Sequence, residues 1–164
     1  MIKKAIREYL QADTQISDNV KNVFTFFNTA NGRRVNNTLS KNTFPMITIN
    51  EVERDLSEVH EAKTFYRYSG QIEIQLDTIV DADACNDKLI SKLNDTLDNH
   101  EETAERIFTL LHRYTGDMNG VFIYMSLFTN SGDSQLIYNV VNNDKDQSVY
   151  RKTLLFNINY KTGI

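Results

Sequence analysis

Strict apolar–polar alternation constrains the folding of this chain more than any other feature. Ile72, Ile74 and Leu76 are interleaved with Glu73, Gln75 and Asp77, and Leu154, Phe156, Ile158 and Tyr160 recur at every second position near the end. Side chains leave a strand on opposite faces with a period of two, so each stretch demands a strand with one face buried and one wet. A chain built around such strands needs a sheet with an apolar cover laid over one side.

The rest of the pattern supplies that cover. Ile2, Ala5, Ile6, Tyr9 and Leu10 fall at helical spacing with Lys3, Lys4, Arg7 and Glu8 outside the stripe, which predicts a short amphipathic helix over residues 2–12. Asp13 and Asp18 mark turns and caps, and residues 23–27 a short strand. Residues 28–43 are polar, rich in Asn and Thr, and contain the turn signal Asn31 and Gly32, as a long exposed loop would. Pro45 opens a strand in which Ile47 and Ile49 alternate with Thr48 and Asn50, continuing to Val52. The charged residues 53–63 are predicted to separate it from the strand over 70–80.

Asp81 and Asp83 offer N-cap chemistry to a helix whose apolar positions are Leu89, Ile90, Leu93 and Leu97. A second helical pattern follows in residues 100–116, with Ala104, Ile107, Phe108 and Leu111 on one face and Glu102 spaced to pair with Arg106. Gly116 and Gly120 close that region. Strands over 121–128, 135–141 and 149–160 are predicted to finish the chain as a meander. Its turns fall at Asn130, Ser131, Gly132 and Asp133, and then at Asn142, Asn143 and Asp144. The expected class is α+β: a single domain over residues 1–164, with an antiparallel or mixed β-sheet and α-helices packed on one face.

Composition narrows the function. A net charge of -4 and a pI near 5.4 argue against a broad basic surface for duplex DNA. The charge is uneven, because residues 51–105 carry fifteen acids against Arg54, Lys63, Arg67, Lys88 and Lys92, while both ends lean basic. Such asymmetry points to surfaces and partners. The opening MIKKAIREYLQ lacks the apolar core of a signal peptide, and no run of about 18 apolar residues exists to cross a membrane. The single Cys85 cannot form an intrachain disulfide, so the expectation is folding in a reducing cytoplasm.

No motif of a known catalytic or metal chemistry stands in the sequence. The six glycines fit neither a P-loop nor a dinucleotide fingerprint. His60 and His100 each begin a zincin-like pattern, but the second histidine is replaced by Thr64 and Ala104, so no metal site is expected. Together with His112, these histidines read as solvated residues on charged segments. Asp81, Asp83 and Asp87 lack the glycine and terminal glutamate of a calcium loop, and the same acids disfavour a reactive thiolate at Cys85. Ser69 and Ser131 sit beside glycines in turn-like contexts, not in a nucleophile elbow. No cofactor is expected. Two aromatic–basic groupings resemble single-strand stacking platforms: Phe24, Phe26 and Phe27 before Arg33 and Arg34, and Phe65, Tyr66 and Tyr68 around Arg67. The acidic balance favours core packing or subunit contact for both.

The order of these pieces resembles the tail-terminator, or tail-completion, proteins of long-tailed bacteriophages. The carriers are the helix ending in Leu10, Gln11, Ala12 and Asp13, the apolar Ile16, Val20 and Val23, and the strand opened by Phe44, Pro45, Met46, Ile47, Thr48 and Ile49. The strand–helix succession over 70–80 and 84–97 and the closing segment 151–160 extend the likeness over nearly the whole chain. The extra helical segment 100–116 is a departure from the pattern.

The resemblance implies a non-enzymatic virion protein, assembled in the host cytoplasm and sited at the head-proximal end of the tail. It would form a homohexameric ring that ends tube polymerisation and docks the head. Its partners would be itself, the tail tube protein and a head-completion or connector protein, with genomic DNA passing through the lumen unbound and no membrane involved. In such a ring, residues 28–43 and 53–67 are the expected contact loops, and acids from residues 51–105 are expected to make the lumen electronegative. Three other readings stand beside this one: a head-completion or neck connector, a small enzyme with a dispersed acid/base site, and a single-strand binding module.

Overall fold

The structure, a computed structural model, describes residues 2–25, 44–59, 66–80, 87–130, 132, 134–138 and 147–162. Helix α1 (Ile2–Ala12) and the single-turn helix α2 (Thr14–Asn19) lead into β1 (Asn22–Phe24). Next come β2 (Met46–Val59), β3 (Tyr66–Val80) and the long helix α3 (Asp87–Leu111). The remaining strands are β4 (Thr115–Met118), β5 (Val121–Asn130), β6 (Ser134–Tyr138) and β7 (Gln147–Thr162). The described strands form one mixed sheet ordered β1-β2-β3-β7-β5-β4, with β6 also paired to β7. Only β1 and β2 run parallel; every other described pairing is antiparallel. The α+β class read from the sequence is the class observed.

Register explains why the alternation is so clean. Ile49 faces Ile74 across β2 and β3, Ile74 faces Leu154 on β7, and Ile72 faces Phe156. Their row continues to β5, where Met125 faces Ile158 and Ile123 faces Tyr160. These side chains share one core with Ile6 and Leu10 of α1, Ile16 of α2, and Ile107 and Leu111 of α3, so all three helices cover one face. Burying a side chain of this size contributes roughly 1.5–3 kcal/mol, and the helices hold onto the sheet through that stripe. A second cluster on the opposite face, of Phe44, Met46 and Val149 with Phe24 and Ile79, closes one end of the sheet.

Four expectations are corrected. Residues 53–59 continue β2 and pair with 66–71, so the charged segment builds a two-stranded arm instead of a separating loop. Alternation fails to reveal it because β-bulges between Glu51 and Glu53, and between Leu56 and Glu58, break the period of two. The two predicted helices are a single α3, since no glycine or proline interrupts residues 87–111. The segment read as the end of that second helix holds instead β4 and a two-residue hairpin turn. Asn119 (φ 50°) and Gly120 (φ 87°) are both left-handed there, the combination that a tight type I′ turn requires.

Lastly, the three closing strands are no simple meander. Asn130 faces Leu154 and Ser134 faces Arg151, so β5 and β6 run in the same direction along one side of β7. Between those two pairs the chain advances four positions on one side and three on β7, an excess of one residue, so the segment around Gly132 makes no reversal. The second predicted turn, at 142–144, lies outside the described residues, as does the loop 28–43.

Candidate functional site

Every motif weighed for chemistry either has a structural occupation or lies outside the described residues; His60, Asp81, Asp83 and Cys85 belong to the latter group. His100 is not solvated: it is buried on α3, with Nδ1 2.7 Å from the Thr78 hydroxyl of β3. His112 is half-buried, stacked on Phe108, and its Nδ1 accepts the backbone N–H of Leu127 at 3.0 Å. Because Met125 N–H likewise donates to the Tyr114 carbonyl, this side of β5 is covered where β4 stops. Among the described residues, no three His, Cys, Asp or Glu side chains are grouped to hold a metal ion.

Two ion pairs tie the elements together. Asp77 and Arg151 face each other on β3 and β7, joined by Nε–Oδ1 and Nη2–Oδ2 bonds of 2.7 and 2.9 Å, with Asp77 fully buried. Arg106 does not serve Glu102 along the helix but reaches Asp13, with Nε 3.2 Å from Oδ2. Asp13 also caps α2, its Oδ1 accepting the Ile16 N–H at 3.1 Å. The Arg106 guanidinium holds the Asp13 carboxyl below the ordinary carboxylate range, against burial that pushes it up and with the Ile16 amide assisting.

A carboxylate shifted in this direction contributes stability above its unfolded pKa of about 4 and loses it as pH falls through the lower folded value. The Arg106 side chain is about a third exposed, so solvent screens the pair. Asp13→Ala is expected to lower stability by about 1–2 kcal/mol at neutral pH, mostly through the lost cap. Asp13→Asn keeps a capping oxygen and should cost less than half as much. Urea melts at pH 7 and pH 3 should show the gap between wild type and Asp13→Asn closing at the acid end; a constant gap would exclude the ion pair as its cause.

What remains without an evident internal purpose lies at the arm end of the sheet. Among the described residues, the exposed large hydrophobic side chains are Val52, Leu56, Phe122, Tyr124 and Phe128. Phe122 and Tyr124 alternate with the buried Ile123, so they project from the face that carries no helices. They border an open depression of about 650 Å³ with Arg67, Asp117, Asn159 and Lys161. Across the sheet, Leu56 faces Tyr68 on the helix-bearing face, where Tyr68 stacks on Tyr160 at 5.0 Å. Arg54 lies over the Tyr68 ring and pairs with Glu51 at 3.1 Å. Burial pushes the Tyr160 hydroxyl above the ordinary tyrosine range, while the neighbouring Arg54 pulls it back.

Of the two aromatic–basic groupings read from the sequence, Phe24 packs into the second cluster, and Tyr68 and Arg67 sit on opposite faces of β3. Phe26, Phe27, Arg33, Arg34 and Phe65 lie outside the described residues. Phe122, Tyr124 and Lys161 were not singled out by motif. For Phe122 and Tyr124 the signal is the unbroken apolar run 121–125, which suits a strand covered on both faces, here laid where no described helix covers the second face.

No protein-family model matches the chain, and no curated protein matches it. Among solved structures, a chain of a particle described as the virion of a native gene transfer agent (GTA) is similar at 12% identity, with 98% of this chain and 94% of that chain covered and a TM-score of 0.47. A second structure is similar at 12% identity over 96% of this chain and 89% of its own, with a TM-score of 0.38.

Proposed function

We propose that the protein is a non-enzymatic component of a phage-type virion. It forms a homohexameric ring at the head-proximal end of the tail tube, ends tube polymerisation and presents the surface to which the head docks. The observation that carries this reading is the concentration of exposed Val52, Leu56, Phe122 and Tyr124 around one end of the sheet, on the arm and beside it. Exposed large apolar side chains on both faces of one sheet end, Leu56 on one and Phe122 with Tyr124 on the other, suit an end that is covered by other protein. The sequence resemblance to tail terminators supplies the architecture, and the arm lies within the 53–67 segment expected to make the contacts. The tube protein and a head-completion protein are the proposed partners. Acids of residues 51–105 that lie off the arm, Asp98, Glu101 and Glu105 among the exposed ones, would help keep the lumen electronegative so that DNA slides without adhering.

Electron microscopy of the protein alone and mixed with purified tail tubes tests this. The expected result is rings in solution and a cap on one end of each tube, with tubes that no longer lengthen when tube protein is added. A monomer at every concentration that neither caps nor arrests tubes overturns the reading.

A further inference from the structure

We propose that Asn119 is a site of spontaneous deamidation, and that the closed tip of the β4–β5 hairpin holds the reaction back. Asn119 and Gly120 are the two residues between the facing Met118 and Val121. Asparagine followed by glycine is the pair most prone to lose its amide, because no side chain on the glycine hinders attack by its backbone nitrogen. In that step a bond forms between the Gly120 nitrogen and Asn119 Cγ, and the Cγ–Nδ2 bond breaks. The proton of the Gly120 nitrogen leaves with Nδ2 as ammonia. Water then opens the five-membered imide at either carbonyl, giving aspartate or isoaspartate at position 119. Nothing is oxidised or reduced, and water is the only co-reactant.

Both reacting groups are engaged in the folded chain. The Gly120 N–H donates to Asp117 Oδ1 at 3.0 Å, and Asn119 Nδ2 donates to the Ala5 carbonyl of α1 at 3.2 Å. Asn119 lies at φ 50° and Gly120 at φ 87°, and the buried Met118 and Val121 fix the turn on either side. Ring closure needs the carboxamide to leave α1 and swing onto the next nitrogen, so the reaction waits for the tip to open. Access of water does not limit it, since Asn119 and Gly120 are both exposed.

The same contacts define what the reaction changes. Asn119 Nδ2 ties the hairpin tip to α1. A carboxylate at 119 has no proton to donate at neutral pH and sets a negative oxygen against the Ala5 carbonyl, so the tie is lost. It also adds negative charge beside Asp117, which with Gly120 borders the depression of Phe122 and Tyr124. Isoaspartate lengthens the backbone of a two-residue turn and disturbs the register of Met118 with Val121. The change is one-way, and it is independent of the ring reading.

The test incubates the full-length protein at neutral pH and maps its peptides by tandem mass spectrometry, which locates the mass gain and separates aspartate from isoaspartate. In urea above the unfolding transition, position 119 should react at a rate similar to Asn31, the other asparagine that precedes a glycine. Without urea, position 119 should slow by roughly tenfold or more, since only locally opened molecules react. Asp117→Ala removes the acceptor of the Gly120 N–H and should raise the folded-state rate several-fold, with circular dichroism and thermal melts to verify folding. Asn119→Asp, equivalent to one product, should melt below wild type. No mass gain at 119 in urea, folded wild type reacting at the urea rate, Asp117→Ala no faster than wild type, or Asn119→Asp as stable as wild type overturns the proposal. Should Asp117→Ala fail to fold, wild type in increasing urea below its transition decides: a rising rate at 119 supports the closed tip, and a flat one overturns it.

Discussion

Replacing Gly70 with alanine is expected to destabilise the protein by about 2–4 kcal/mol, seen as a lower urea midpoint with little change in the slope. A Cβ at this position would overlap the Glu53 carbonyl oxygen, with the carbonyl carbon 2.8 Å away and the Arg54 Cα at 3.0 Å. The obstacle is main chain inside the β2–β3 ladder, where Arg54 faces Gly70 immediately after a bulge. A flexible side chain could swing aside, but relief here requires the arm to shift its pairing from Glu53 outward. Two other glycines serve as controls. A Cβ at Gly132 meets nothing within 4 Å, and alanine there should stay within about 0.5 kcal/mol of wild type. Gly120 is equally roomy but has φ +87°, so alanine should cost about 1 kcal/mol through backbone strain alone. Gly70→Ala as mild as Gly132→Ala would mean that the arm slips freely past its bulge. Leu56 rides on that arm, so Gly70→Ala should also abolish assembly under conditions where the rest of the sheet remains folded.

Gly70 illustrates where the sequence is legible and where it is not. Ile72, Ile74 and Leu76 announce their strand because every second side chain enters the core, and Ile2, Ala5, Ile6 and Leu10 announce their helix by the same logic. Beyond Val52 no core lies beneath β2, so selection for apolar alternation lapses and residues 53–59 read as a charged loop. The strand exists because β3 continues opposite it, a non-local fact carried by register. Asn119 and Gly120 carried a local hairpin signal that the apolar spacing of Ala104, Ile107 and Leu111 masked. Around Gly132 the error ran the other way, since the same residue types suit a turn and a bulge. His112 and Arg106 were open to misreading for a related reason. Each looks surface-exposed by its local spacing and finds its partner, Leu127 or Asp13, on another element. Phe122 and Tyr124 read in the sequence as an ordinary strand, and only their exposure on the face that no described helix covers sets them apart.

The largest loss from a single side chain is expected at Arg151. Changing it to methionine leaves the fully buried Asp77 carboxylate without its bidentate partner, and removing one member of such a pair costs about 3–5 kcal/mol. The arginine stem and methionine fill similar space, so little of this loss comes from a cavity. The decisive comparison is the double variant Asp77→Leu with Arg151→Met, which removes charge and countercharge together. Continuum reasoning makes such replacements neutral or even stabilising, so most of the loss should return, and chemical denaturation of the two single variants and the double gives the coupling directly. Stability of Arg151→Met equal to wild type would mean that Asp77 is solvated in the folded chain. Asp77 and Arg151 face each other toward the opposite end of the sheet from Leu56 and Phe122. A loss of stability at Arg151 with assembly retained on refolded protein, set against a loss of assembly at Leu56 with stability retained, would separate what folds the sheet from what joins one copy to the next.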